Sequence, residues 1–598
     1  MGDFLVDFRE REERAGFAKG AAFLKFQGHV QLEVMEFREF SLALTSVDNS
    51  ALWGPFIAED VVTAVCGRID LEENEWQAAE KVIGRGGLAS KHLAQKYREN
   101  GASALETLSG NFALLLWDRK LNVFFLVGDL CGALPLFKSV AGRKPAFSSH
   151  PDALAICIGE EQNWNEESLA EFIFTSGVTP PYTYYTNIRS LAEGTIISCD
   201  LTARPFSEKA GTYFSIQYRG NDKTIESELA EELAQSLVSS VRKRTLPRLG
   251  PVAVALSGGL DSRTILAAAQ DRSNIFAFCC FNEENFEFAS ARAVARALDV
   301  KLVPLTRDFD YYGDSADLGI RISGGMGTFA NNHFLGVSQH LRDLGAQNLL
   351  TGCYCDYLFK GLPLNTTSGR FFRNERLASY AHEFYFAHYR MHLLAAKAVR
   401  ARLDDRFPES LRNARSAPEV FQLEKLRTFP LFQEPDNAQR LIPQRVLFSY
   451  LPVADRAVLE TYCKIPYHYK LNRSLFKKTV EIICGAEVCR IADANTGAPA
   501  NASAPREAIS SAALHFQRKL KRLKGGIATD TSWPDWTYYI AHSAKLKTMW
   551  ERPCEAAADL FRRILPAADV RPSPADYSGH DQFLFVQLLS LKLWLQQR

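Results

Sequence analysis

The sequence predicts an α/β protein of two domains, a β-rich N-terminal domain followed by a parallel-sheet domain whose C-terminal part is mostly helical. Three observations carry this. The chain has 598 residues, beyond the roughly 250–300 at which a single core stops growing. Its first third contains short apolar runs of strand length, and from residue 225 onward such runs alternate with helical patterns of about 10–15 residues. Hydrophobic residues make up 46% and charged residues 23%, a composition for packed domains rather than disorder.

In the first domain, residues 61–66, 111–117 and 123–127 read as strands, with 118–120 turning between the last two. Residues 133–137, 146–149 and 195–199 carry further β signals. The domain is expected to span 1–202. Residues 203–223, with Pro205, Gly211, Gly220, Asn221 and Asp222, read as a connector. In the second domain, 224–598, residues 225–245 have helical periodicity and 252–256 form an uninterrupted apolar strand. Helix 261–270, strand 275–281, helix 287–298, strand 300–305 and strand 348–351 follow, the pattern of a parallel sheet covered on both faces. Beyond residue 370 helices dominate. The aromatic and arginine stripe over 371–406 reads as helix-packing core, and the basic run 518–524 as a solvated helix face.

The formal net charge is +1, so no overall field draws in nucleic acid or an anionic membrane. The N-terminus lacks the basic start and apolar run of a signal peptide, and no apolar stretch approaches the roughly 18 residues of a membrane span. A soluble, cytoplasmic protein is expected. The twelve cysteines show no disulfide framework, and Cys279-Cys280 and Cys353-x-Cys355 lack the second ligand pair of a zinc site, so buried thiols are expected.

The strongest local signal is Ser257-Gly258-Gly259-Leu260-Asp261-Ser262, between strand 252–256 and a helix. Glycines at that place let backbone N–H groups approach phosphate oxygens, and the helix N-terminus points its positive end at the same spot. The Ser257 and Ser262 hydroxyls add donors, and Asp261 suits a magnesium ion bridging phosphates. The Lys-Ser/Thr pair of a Walker A loop is missing, which argues against γ-phosphate transfer.

Ser-Gly-Gly-Leu-Asp-Ser resembles the pyrophosphate loop of the N-type ATP pyrophosphatases. Over nearly its whole length the chain resembles the asparagine synthetase B family. Residues 108–113 through Trp117-Asp118, Gly132 through 135–137, and 183–194 are similar to that family's glutaminase domain. The resemblance implies an Ntn-hydrolase-like sandwich followed by an adenine-nucleotide α-hydrolase-like sheet, with ATP and Mg2+ as cofactors. It implies that Asp356 faces Asp261 across magnesium pyrophosphate and that adenine lies between Leu256, Cys279 and Thr351-Gly352. It also implies a cation on the departing pyrophosphate, from Arg473, Lys477 or Lys478, with Lys477 the chosen candidate.

Two departures shape the expected chemistry. The family's nucleophile is a cysteine exposed as the N-terminus, whereas here Gly2 follows Met1, the first cysteine is Cys66, and the Asn-Gly oxyanion segment is replaced by Cys66-Gly67-Arg68. The expectation is a degenerate glutaminase. The family's Gly-Glu-Gly-Ser-Asp-Glu-Leu-Phe-Gly becomes Gly352-Cys353-Tyr354-Cys355-Asp356-Tyr357-Leu358-Phe359-Lys360, which keeps the metal-facing Asp and loses both neighbouring acids. The expected activity is therefore AMP-forming activation of a carboxylate for an amine other than glutamine-derived ammonia, as in β-lactam synthetases and lasso-peptide cyclases. Tyr354 or Tyr357 would deprotonate the amine. The expected partner is a small molecule or peptide carrying both groups, with a precursor peptide or maturation protein as candidates. Competing expectations are a glutamine-hydrolysing asparagine synthetase, an amidotransferase of bacterial polysaccharides, and an ATP-binding scaffold without chemistry.

Overall fold

The computed structural model describes residues 2–28, 30–46, 50–221, 225–364, 366–367, 376–377, 392–434, 441, 444–523, 531–579 and 581–598. The first domain contains strands β1 (Phe4–Asp7), β2 (Gln31–Glu36), β3 (Ser41–Ser46), β4 (Phe56–Ile57), β5 (Val61–Ile69) and β6 (Gly110–Asp118). It continues with β7 (Val123–Gly128), β8 (Phe137–Ser139), β9 (Ala146–Ser148), β10 (Ile188–Ser190), β11 (Thr195–Asp200) and β12 (Ser207–Thr212). They form two antiparallel six-stranded sheets, in the orders β10-β8-β9-β1-β3-β2 and β12-β11-β7-β6-β5-β4. The period-2 alternation of a strand divides β5 cleanly: Val62, Ala64 and Cys66 face the other sheet, while Val61, Val65 and Ile69 face outward into a second core. Both faces are buried, which is why β5 and β6 read as continuous apolar runs. Helices cover both outer faces, Phe17–Phe23 and Pro151–Ile158 on one sheet and Leu88–Asn100 on the other.

Two sequence expectations are corrected here. Only Phe137 of the run 133–137 is in a strand, because the buried Asp129 carboxylate captures the N–H groups of Cys131, Ala133 and Leu134 at 3.2, 2.9 and 2.8 Å and folds that stretch into a loop. The stretch read as connector contains β12, which pairs along its whole length with β11.

In the second domain, α1 (Glu226–Arg244) precedes β13 (Val252–Ala255), α2 (Leu260–Ala268), β14 (Ile275–Phe281), α3 (Phe286–Ala297), β15 (Leu302–Thr306), α4 (Leu335–Asp343), β16 (Asn348–Leu350), α5 (Cys355–Phe359), β17 (Phe448–Tyr450) and α6 (Ser474–Cys489). The sheet is parallel throughout, in the order β15-β14-β13-β16-β17. Its first four strands follow the sequence reading. β17 does not, because three residues flanked by irregular chain give too short a signal. Helices Leu393–Arg406 and Ala504–Leu523 cover parts of the aromatic stripe and of the basic run; 371–375, 378–391 and 524 lie outside the described residues. Among the described residues no helix is long and apolar enough to cross a membrane. All twelve cysteines are free thiols and ten are buried.

Buried ion pairs join the two domains. Arg244 at the end of α1 lies 2.5 Å from Asp70, both side chains having 1% exposure or less, and Arg445 holds Asp3 through two hydrogen bonds of 2.8 Å. Arg68 at the end of β5 is sandwiched between Trp53, at 4.3 Å, and Phe448 of β17, at 4.5 Å. One apolar cluster runs from Leu52 and Val61 through Leu233 and Val254 to Ala500, so the outer face of the second sheet shares its core with the parallel-sheet domain.

Candidate active site

In open parallel sheets ligands bind beyond the carboxyl ends of the central strands, and the sequence-predicted loop leaves β13 at that place. Gly258 has φ +70° and packs so closely on α3 that a Cβ would sit 2.7 Å from Ser290 Cβ. Its carbonyl accepts from Arg263 Nη2 at 2.6 Å and from the Ala494 amide at 3.3 Å. The fully buried Arg263 donates three further bonds to the carbonyls of Val488, Ile491 and Ala492, and thereby ties the loop to the end of α6. Within the loop the Ser257 and Ser262 hydroxyls lie 3.1 Å apart, and Ser262 Oγ accepts from the Ser257 amide at 3.1 Å. Gly259 is the N-cap of α2 and Leu260 its first residue, buried against the core.

The turn after β16 closes on this loop. A Cβ on Gly352 would lie 2.9 Å from the Asp261 carbonyl carbon, so glycine permits the backbones to touch. Between them is a cavity of about 270 Å3 lined by Leu256, Ser257, Asp261, Ser262, Cys279, Thr351, Gly352 and Asp356. Phe278, Glu287, His333, Ser532 and Trp533, which the sequence reading did not single out, also line it. His333 and Trp533 stack at 4.1 Å with 26° between their planes, a flat apolar surface at one side of the cavity.

Asp261 is half-buried, its side chain 20% exposed, and desolvation raises its carboxyl above the usual range while the Lys360 ammonium opposes this. Lys360 Nζ lies 2.8 Å from Asp261 Oδ1 and 2.9 Å from Oδ2, and also contacts Asp356 Oδ1. Burial alone would lower the Lys360 ammonium; the two carboxylates reverse this and hold it above its ordinary value. Asp261 Oδ1 is a buried acceptor without a well-directed hydrogen bond. Two carboxylates converging on one point, both now contacted by the Lys360 ammonium, form a hard-oxygen donor set that fits a magnesium ion shared with phosphate. Among the described residues no group of three or more His, Cys, Asp or Glu is arranged to hold a metal, and Asp261 and Asp356 are the residues that would hold one here.

The other expected residues stand elsewhere. Lys477 is paired with Glu507 at 2.5 Å and Lys478 with Glu226 at 2.5 Å, and Arg473 is the left-handed N-cap of α6; none of the three lines the cavity. Tyr354 is buried with its hydroxyl donating to the Leu431 carbonyl at 3.1 Å, outside the cavity wall. The cation that does face the carboxylates, Lys360, had one sequence signal: it follows Asp356 by four residues on a helical turn.

Glu287 gives a pH prediction. Its Oε2 accepts from the Ser532 amide at 3.0 Å, its Oε1 is buried without a hydrogen bond, and burial raises the carboxyl from 4.5 to about 7. The folded chain therefore holds this proton more tightly than the unfolded chain between those values, so stability falls as pH rises through about 7. Glu287→Gln keeps the acceptor and cannot ionise. Urea unfolding is expected to show the variant matching wild type near pH 4.5 and exceeding it at pH 8.5 by up to about 3 kcal/mol. Equal stability at both pH values would contradict the buried-acid account.

In the first domain Cys66 faces the sandwich core, fully buried, and burial pushes its thiol up to about 12. Gly67, next to it, has φ +83° and fits against the Asn111 carbonyl, with Arg68 beyond it clamped between Trp53 and Phe448.

Residues 89–209 match the family model of a glutamine amidotransferase domain, and residues 232–484 match that of asparagine synthase. Among curated proteins, asparagine synthetase (glutamine-hydrolyzing) 2 of Bacillus subtilis (strain 168) is 26% identical over 212 residues, 33% of this chain and 28% of that protein. Amidase chry2 of Gibberella zeae is 26% identical over 244 residues, 40% of this chain and 34% of that protein. A putative asparagine synthetase (glutamine-hydrolyzing) of Mycobacterium bovis is 26% identical over 219 residues, 35% and 33% of the two chains. The chain thus spans about a third of the length of these relatives.

Proposed function

We propose that this chain, which belongs to an asparagine synthetase-like family, is an ATP-dependent amide ligase that forms AMP, activating a substrate carboxylate as its acyl-adenylate and passing it to an amine without a glutaminase of its own. One observation carries this: Leu256, Ser257, Asp261, Ser262, Cys279, Thr351, Gly352 and Asp356, from three strand ends, line a single cavity.

A carboxylate oxygen attacks the α-phosphorus of ATP, the bond to the bridging oxygen breaks, and pyrophosphate leaves. Loop amides at Gly258 and Gly259, with the N-terminus of α2, receive the phosphate charge. Magnesium held by Asp261 and Asp356 would neutralise charge on the departing oxygens. The amine nitrogen then attacks the acyl carbon, the bond to the AMP oxygen breaks and AMP leaves, and the nitrogen gives up its proton to water. A second cavity of about 310 Å3 begins at Tyr357, next to Asp356, and includes Glu171 and Thr179 of the first domain with Arg406 and Gln433 of the second. We assign it to a small molecule or peptide bearing the carboxylate and the amine. Ring closure of the β-lactam-synthetase or lasso-cyclase kind, with a precursor peptide as partner, is one version of this chemistry that needs no ammonia, and transfer to an amine of a second molecule is another.

Independence from glutamine is supported by the burial of Cys66 in the sandwich core and by Arg68 standing where oxyanion donors are expected. A second reading, glutamine hydrolysis feeding the ligase, is favoured by the match of residues 89–209 to a glutamine amidotransferase domain. Carboxylate-dependent ATP–pyrophosphate exchange, run with and without glutamine, separates the two. We expect exchange without glutamine and no glutamate release when glutamine is supplied. Glutamate formed in step with amide product would establish the second reading, and no exchange with any carboxylate would reject the ligase.

A further inference from the structure

We propose that Lys360 is a tethered cation that fills the position between Asp261 and Asp356, so that the protein without nucleotide excludes free divalent ions and admits one only together with phosphate. The inference rests on reading the cavity as a nucleotide-phosphate site, and it adds a role to a residue that neither motif nor family expectation supplied.

The geometry is specific. Lys360 Nζ touches both carboxylates, at 2.8 and 2.9 Å from the two Asp261 oxygens, and its side chain is only 11% exposed. The ammonium also lies 5.5 Å from the centre of the Phe476 ring on α6, an arrangement that adds cation–π attraction. Because Lys360 caps α5, one turn after Asp356, the same short helix delivers a carboxylate and its counter-ion to the loop of α2. A divalent ion entering from solvent would have to displace a cation that is held covalently and therefore pays no translational entropy to stay. Phosphate oxygens change that balance: they supply the ligands that two carboxylates lack, and they give the displaced ammonium a new anion to contact.

Mn2+ titration followed by electron paramagnetic resonance tests this with the metal alone. Lys360→Met is expected to bind Mn2+ about tenfold more tightly than wild type or better, because one unit of positive charge leaves the site. Adding Asp261→Asn to that variant is expected to abolish the gain. Lys360→Arg, which keeps the charge, is expected to stay weak. Equal Mn2+ affinity in wild type and Lys360→Met overturns the proposal. Where Lys360→Met does not fold, Lys360→Gln takes its place. Where neither folds, the wild-type protein decides alone: tight Mn2+ binding without nucleotide, with a Kd of about 10 µM or below, overturns the proposal, and weaker binding that tightens on addition of inorganic pyrophosphate supports it. These readouts need no turnover, so failure here leaves the exchange assay free to uphold or reject the ligase reading.

Discussion

Asp261→Asn is expected to lower carboxylate-dependent ATP–pyrophosphate exchange by about a thousandfold while leaving the fold intact. Asparagine has the same shape and can still face Lys360, so the packing at the start of α2 is preserved. What disappears is the half-buried negative charge opposite Asp356, at the place where the proposed reaction would build charge on pyrophosphate. Loss of one preorganised group aimed at a developing charge typically costs about a hundred- to a thousandfold in rate, and in the proposed reaction Asp261 would act both on the metal and on Lys360. Exchange is the proper assay because it reads the adenylation step without the amine. A thermal melt within a few degrees of wild type, together with retained nucleotide binding, would locate the loss in chemistry. Exchange within tenfold of wild type would place the phosphate work on other residues.

The second large effect is expected far from the cavity. Arg244→Met removes the guanidinium that contacts Asp70 at 2.5 Å and Asp455 at 3.7 Å, and leaves two carboxylates close together in a region with almost no exposure. Burial already raises the Asp70 carboxyl, with Arg244 the main opposing influence. Breaking a buried ion pair by removing one partner costs about 3–5 kcal/mol, and denaturant unfolding of Arg244→Met is expected to show a loss of that size. The double variant Asp70→Asn, Arg244→Met is expected to recover part of it, since the remaining buried charge is then smaller. A loss under about 1 kcal/mol for Arg244→Met alone would mean that water reaches the pair.

The residues that the sequence revealed and those it hid differ in kind. β13, β14 and the loop 257–262 follow from local rules: an apolar run of strand length, glycines where backbone must bend, a helix directly after. Asp356 and Gly352 were legible through the family resemblance, and their place beside Asp261 follows from the adjacency of β13 and β16 in the sheet. Lys360 was half legible, since its distance from Asp356 matters only once 355–359 is helical. Glu287, His333 and Trp533 come from three separate segments and meet only through tertiary packing, so no spacing betrays them. Lys477 was misplaced for a related reason: α6 does approach α2, but its lysine turns toward Glu507. The stretch 133–136 has strand-like composition and is overruled by one buried aspartate, and β12 hides in a glycine- and proline-containing segment because its pairing partner β11, rather than its own residues, holds it extended.

The continuous apolar cluster through both domains bears on how such a chain can change over evolutionary time. The outer face of the β4–β12 sheet is part of the wall against which the parallel-sheet domain folds, with Arg68 and Phe448 meeting across it. A gene encoding only the second domain would expose that wall to water. The first domain can therefore be retained under selection for stability alone, and its survival in a lineage says nothing by itself about whether it still handles glutamine.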